Sequence, residues 1–217
     1  MPLPKEWATP EDFATLFQYL WYRDFPMDQR STGAIRTDWT IHTGLVVRSI
    51  ADLMGLVTRF ERGGRKDAVL RSTDGDEIAV EWEWGGVRGN ELGKLRDHRV
   101  WSVEKGKKRL LRYGVFITYT HTPTPDIELV YKHVIKEWHE RNERNEGKGA
   151  RWPLLLILID VVKSKLPMGR DFNNMNMSIF DATVDAGGET KEVKPPFRIA
   201  PAFPWNVTCS RWSGHFL

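Results

Sequence analysis

Three carboxylates in residues 66–84, KDAVLRSTDGDEIAVEWEW, have the types and spacing to do chemistry together: Asp67, Glu81 and Glu83. Glu81 and Glu83 are two residues apart, so they share a face of any strand that carries them. Hard divalent cations such as Mg²⁺ take oxygen ligands, usually one or two carboxylates completed by water and substrate phosphate. Acids at this spacing are also what the solvated face of an antiparallel strand looks like. Which of the two holds depends on where Asp67 lies, and that is set by the elements around it.

The stretch reads as a hairpin. Ala68, Val69 and Leu70 on one side and Ile78, Ala79 and Val80 on the other flank Ser72, Thr73, Asp74, Gly75 and Asp76, a cluster of chain-reversing residues. Alternation points Ile78, Val80, Trp82 and Trp84 one way and Ala79, Glu81 and Glu83 the other. Opposed side chains in an antiparallel pair come within about 5 Å of each other. An odd loop such as 74–76 sets Asp67 opposite Glu83 and diagonal to Glu81. A two-residue turn at Asp74 and Gly75 pairs Asp67 with Trp82 instead and separates the acids.

Asp67, followed after thirteen residues by Glu81-Trp82-Glu83, resembles the PD-(D/E)XK nuclease superfamily. Members share a core of one helix, a three-stranded antiparallel meander, a crossover helix and a further strand, with the acids on the second and third strands. Lys66 stands where the family often has Pro, and Glu83 stands where it usually has the Lys that orients the attacking water; some restriction endonucleases of the superfamily carry Glu there. The resemblance implies a Mg²⁺- or Mn²⁺-dependent endonuclease. Asp67 and Glu81 would hold the ion, with the Trp82 carbonyl as a third ligand, and Glu83 would join a second metal or accept a proton from the nucleophile. It also implies DNA ahead of RNA as substrate, and an inactive nucleic-acid-binding or protein-interaction subunit of the same fold as the alternative.

The flanking sequence supplies the remaining elements of such a core. Thr9, Pro10, Glu11 and Asp12 form a helix start, with Phe13, Leu16, Phe17, Leu20 and Trp21 facing inward. Thr37 and Asp38 are expected to cap a second helix over 39–54, ended by Gly55. Its apolar side is Val46, Val47, Ile50, Leu53 and Met54, while Asp38, His42, Ser49 and Asp52 gather on another stripe. The superfamily often places an additional acid on this helix, which makes His42 and Asp52 candidates, with ordinary amphipathic packing as the plainer reading. A strand over 56–62 follows, and then Gly63 and Gly64 turn the chain into Asp67.

Arg62, Arg65 and Lys66 are placed either to meet phosphates or to neutralise the neighbouring acids. A short helix over 91–98 carries Lys94, a stand-in for the missing motif lysine or a plain surface residue. Lys105, Lys107, Lys108 and Arg109 form a basic cluster suited to clamping a phosphate backbone. A strand over 110–120, a helix over 126–143 and the aliphatic strand 153–162 complete a crossover unit. Such a strand is covered on both faces, as in a parallel or mixed sheet. The fold expected is therefore α/β with a restriction-endonuclease-like core: helix, meander, strand, crossover helix, and buried strand in a mixed sheet.

The 217 residues suit a single domain, with an N-terminal helix and loop (1–36), a core (37–165) and a C-terminal extension (166–217). In the extension, residues 171–177 have a polar-aromatic character suited to contact with bases. Trp205 and Trp212 read as core-covering aromatics, Cys209 and His215 are too few for a zinc site, and no function is assigned. A single cysteine excludes an internal disulfide framework. Neither a signal pattern nor an apolar run long enough to span a membrane is present, so the expectation is a soluble cytoplasmic protein with no membrane partner. A net charge of +3 permits an anionic partner without demanding one. A homodimer is expected if the target is a palindromic duplex.

Overall fold

The computed structural model describes residues 8–24, 35–62, 66–73, 75–83, 89–96, 111–121, 134, 138, 152–163, 170–180 and 190–192. Its elements are α1 (Pro10–Asp24), α2 (Arg36–Leu53), β1 (Val57–Arg62), β2 (Lys66–Arg71), β3 (Glu77–Glu83), α3 (Gly89–Arg96), β4 (Leu111–His121), β5 (Leu154–Lys163), β6 (Arg170–Phe180) and β7 (Thr190–Glu192). The protein is α/β, and the seven strands form one mixed sheet in sequential order. β1, β2 and β3 are an antiparallel meander. β3, β4 and β5 run parallel, and β6 and β7 return antiparallel.

Each parallel pair needs a crossover. The β3–β4 connection contains α3. The β4–β5 connection contains Val134 and Trp138, both helical and buried; the rest of the helix expected over 126–143 lies outside the described residues. Leu92 and Leu95 of α3 pack with Val134, Trp138, Ala79, Phe116 and the even-numbered leucines of β5 on one face of the sheet. α1 and α2 cover the other face, against Leu70, Ile78, Val80, Val115, Ile117 and the odd-numbered residues of β5. This explains why β5 is apolar on both sides: helices cover it above and below.

α1 begins as its sequence indicates. Thr9 Oγ1 accepts the Asp12 N–H at 3.2 Å, and the Asp12 carboxylate accepts the Thr9 N–H at 3.0 Å, a reciprocal cap. Phe13, Phe17, Leu20 and Trp21 are fully buried. α2 starts earlier than expected, at Arg36, so Asp38 lies inside the first turn, where its Oδ2 accepts the Ile35 N–H at 3.0 Å. Its end is a Schellman turn. Gly55 has φ 66°, and Leu56 N–H reaches back to the Ala51 carbonyl at 2.7 Å.

Residues 171–177, the segment with polar-aromatic character, are part of strand β6. It pairs with β5 on both sides of a bulge at Asn173, and Met175, Met177 and Ile179 enter the core on the α1 side. Among the described residues no helix is long and apolar enough to cross a membrane. Trp205, Cys209, Trp212 and His215 lie outside the described residues.

Candidate functional site

The loop between β2 and β3 decides whether the acids meet. Arg71 pairs with Glu77 and Ala68 with Val80, so five residues, 72–76, lie between the paired ends. Odd parity is preserved, but the register is two residues away from the one a 74–76 loop would give. Continuing the ladder by one step sets Asp67 across from Glu81 and diagonal to Glu83. Asp67 is fixed there by its own side chain, whose Oδ2 accepts the Trp82 backbone N–H at 2.8 Å.

Glu81 points to the α3 face, opposite its neighbours Val80 and Trp82, which pack toward α2. Its side chain has no solvent exposure. α3 comes down on the sheet where β4 carries Gly114; Leu95 Cβ lies 3.6 Å from where a Cβ on that glycine would stand. Seating α3 this closely brings Lys94 over the carboxylate, with Nζ 3.2 Å from Glu81 Oε2. The same ammonium is ion-paired with Glu91, one turn earlier on α3. Glu81 Oε1 is buried with no hydrogen-bond partner.

Packing ionisable groups this tightly perturbs Glu81, Asp67 and Lys94. Burial above all, then the Asp67 charge and a hydrogen bond with Glu91, pushes the Glu81 carboxyl up to about 9 against the pull of Lys94. Asp67 is raised too. Burial is the main cause, with Glu91 and Glu61 acting the same way, and it outweighs the Trp82 N–H and Lys94, which pull the value down. For Lys94, burial opposes the charged form, but Glu91 and Glu81 outweigh it and hold the ammonium above the ordinary lysine range. Perturbation by desolvation together with specific charge partners marks functional-site candidates.

The other residues singled out from the sequence are not gathered here. Glu83, at the end of β3, lies 3.9 Å from Arg36 Nη2, and its carbonyl accepts the Thr118 hydroxyl at 3.1 Å. His42 sits between α1 and α2, with its ring 4.6 Å from that of Trp21, and Asp52 is exposed on α2. Both belong to the helix layer on the side of the sheet away from Glu81, because the apolar residues of β3 alternate against its acids. Lys66 is only 2% exposed, since alternation places it beside Ala68 and Leu70 rather than on a phosphate-facing surface. Arg62 closes the β1–β2 ladder opposite Lys66. Arg65, Lys105, Lys107, Lys108 and Arg109 lie outside the described residues.

Glu91 is the residue that reading the sequence missed. Its signal was available: it stands three residues before Lys94 on a short helix, the spacing of a helical ion pair. Among the described residues no three His, Cys, Asp or Glu side chains converge on one ion position. Protein ligation of a cation would thus rest on Asp67 and Glu81, the number of carboxylates that Mg²⁺ sites commonly use. Glu81 Oε1 is buried without a donor among the described residues, and a cation would take it in exchange for the proton that burial holds on the carboxyl.

No protein-family model matches the chain, and no curated protein matches it.

Proposed function

We propose that this protein is a metal-dependent phosphodiesterase of the PD-(D/E)XK type, acting on DNA in preference to RNA. The observation that carries the reading is the buried, unpartnered Glu81 Oε1 on a carboxylate set across the ladder from Asp67. The order of elements adds support: a helix, an antiparallel meander with acids on its second and third strands, a crossover helix and a parallel strand.

A bound Mg²⁺ or Mn²⁺ would polarise the scissile phosphate and acidify a water. The chain's own residues do the rest. Asp67 and Glu81 would hold the ion, with the Trp82 carbonyl as a further oxygen ligand. The Trp82 N–H fixes the Asp67 rotamer by occupying Oδ2. Lys94 supplies from α3 the ammonium that the superfamily usually carries on the third strand, where this chain has Glu83. Held beside Glu81, it is placed to donate to the attacking water. Leu92 and Leu95 anchor α3, and burying each stabilises the packing by about 1.5–3 kcal/mol.

The test is cleavage of plasmid DNA, single-stranded DNA and RNA with Mg²⁺, Mn²⁺ or EDTA, alongside Asp67→Ala and Glu81→Ala. Metal-dependent cutting that both variants lose while remaining folded supports the reading and identifies the substrate. A second reading is favoured by Lys94, which stands 3.2 Å from Glu81 and fills that side of the carboxyl without a metal: an inactive nucleic-acid-binding or protein-interaction subunit. Absence of both cleavage and Mn²⁺ binding would select it.

A further inference from the structure

Lys94 Nζ lies 3.2 Å from Glu81 Oε2, so a divalent cation on the same carboxylate would stand close to a second positive charge and repel it. Accepting the metal-site reading above, on which this inference rests, the repulsion acts on the Lys94–Glu81 contact, because Lys94 has a second acid, Glu91, to hold it. The side chains grade outward from Glu81 (0% exposed) through Glu91 (16%) to Lys94 (31%). Lys94 already touches both acids. α3 itself is held, since Leu92 and Leu95 are fully buried in the core, so any exchange is confined to a side chain.

We propose that Lys94 is the resident counter-ion of the metal-free site, and that Glu91 is a positioning residue that retains it there when a cation enters. Cation binding trades the Lys94–Glu81 contact for the Lys94–Glu91 contact alone. The ammonium moves outward by less than its own length and stays beside the reacting centre. Charge balance supports the exchange: Asp67, Glu81 and Glu91 carry three negative charges when ionised, and a divalent ion with Lys94 carries three positive ones. Without Glu91 the ion and the ammonium would face each other uncompensated. Without Lys94 the ion would meet an excess of negative charge.

These relations predict effects of opposite sign. Mn²⁺ affinity is measured by calorimetry on the wild-type chain and on Lys94→Met, Glu91→Gln and the double variant. Lys94→Met should bind Mn²⁺ at least about tenfold more tightly, and Glu91→Gln at least about tenfold more weakly, given the strength of unit-charge interactions near a protein surface. The double variant should return close to wild type, and Glu91→Asp should rescue much of the loss. Generalised loosening of α3 would weaken binding in both single variants and would overturn the proposal, as would affinities that do not move. If the wild-type chain binds no Mn²⁺, both the metal-site reading and the exchange fail. If it binds but the variants show no opposition of sign, only the exchange fails.

Discussion

The Asp67 carboxylate accepts the backbone N–H of Trp82 at 2.8 Å, which ties the acid of β2 to the strand that carries Glu81. The bond lies just beyond the last paired residues of the ladder, Ala68 and Val80, so a side chain continues what the backbone pairing leaves off. Asp67 thus has a structural task beside the chemical one proposed for it, and substitutions separate the two. Asp67→Asn keeps an acceptor for Trp82 and should fold almost as stably as wild type while losing Mn²⁺ binding. Asp67→Ala should lose binding and also about 1–3 kcal/mol, the cost of stranding a part-buried N–H, read by urea denaturation. Full Mn²⁺ affinity in Asp67→Asn would remove this residue from the site.

Glu81 gives the metal-free protein a pH dependence. Its folded pKa of about 9 is above the ordinary value of 4.5, so the folded state holds a proton that the unfolded state releases between those values. Stability from this group is fully present below pH 4.5 and is lost as pH rises toward about 9. Chemical denaturation in EDTA across pH 5–9 should show this decline in wild type and a flatter profile in Glu81→Gln. Equal slopes in the two proteins would show that Glu81 is not protonated in the fold.

Asp38 should act on helix stability alone. Its carboxylate caps the first turn of α2 through the Ile35 N–H, so Asp38→Ala should cost about 1 kcal/mol. Mn²⁺ binding should be unchanged, because α2 covers the other face of the sheet. A change in metal affinity would place Asp38 in the site.

His42 and Asp52 should part company in the same way. Asp52 is exposed, and Asp52→Ala should alter stability by no more than about 0.5 kcal/mol. His42 is 4% exposed and packs on Trp21, so His42→Ala should lower the melting temperature clearly. Neither change should alter Mn²⁺ affinity; loss of binding in folded Asp52→Ala would bring α2 into the chemistry.

The buried hydroxyl pair of Thr43 and Tyr119, 2.7 Å apart, pins α2 to β4. Thr43→Val keeps the shape but leaves the tyrosine hydroxyl without this partner, and should cost about 1–3 kcal/mol by denaturant unfolding. Thr43→Ser should restore most of it. Equal stability of Thr43→Val and wild type would show that the pair contributes nothing net.

Much of the architecture is legible along the chain because it is written in local periodicity. The alternation of Ile78, Val80 and Trp82 against Ala79, Glu81 and Glu83 specifies a strand with one acidic face, and the aliphatic run of β5 specifies burial on both sides. Thr9 with Asp12, and Gly55 after Met54, mark helix ends through hydrogen bonds that span only a few residues. β6 is legible in the alternation of Met175, Met177 and Ile179 with Asn176 and Ser178, although the sequence reading assigned no element there.

Quantities that depend on contacts between distant residues were not legible. The partner of Asp67 depends on how many residues the β2–β3 loop leaves unpaired, and a change of one moves every side chain of a strand to the other face. Nothing local says that Lys66 is buried while Lys94 reaches a carboxylate thirteen positions before it. That follows from the side of the sheet on which each element packs. The sequence by itself determined which residues can carry charge and which strand holds the acids. Only the tertiary structure decided that Lys94 would meet Glu81 and Glu91 and that His42 and Asp52 would lie on the other side of the sheet, because a sheet has two faces and long-range packing chooses which helix covers each.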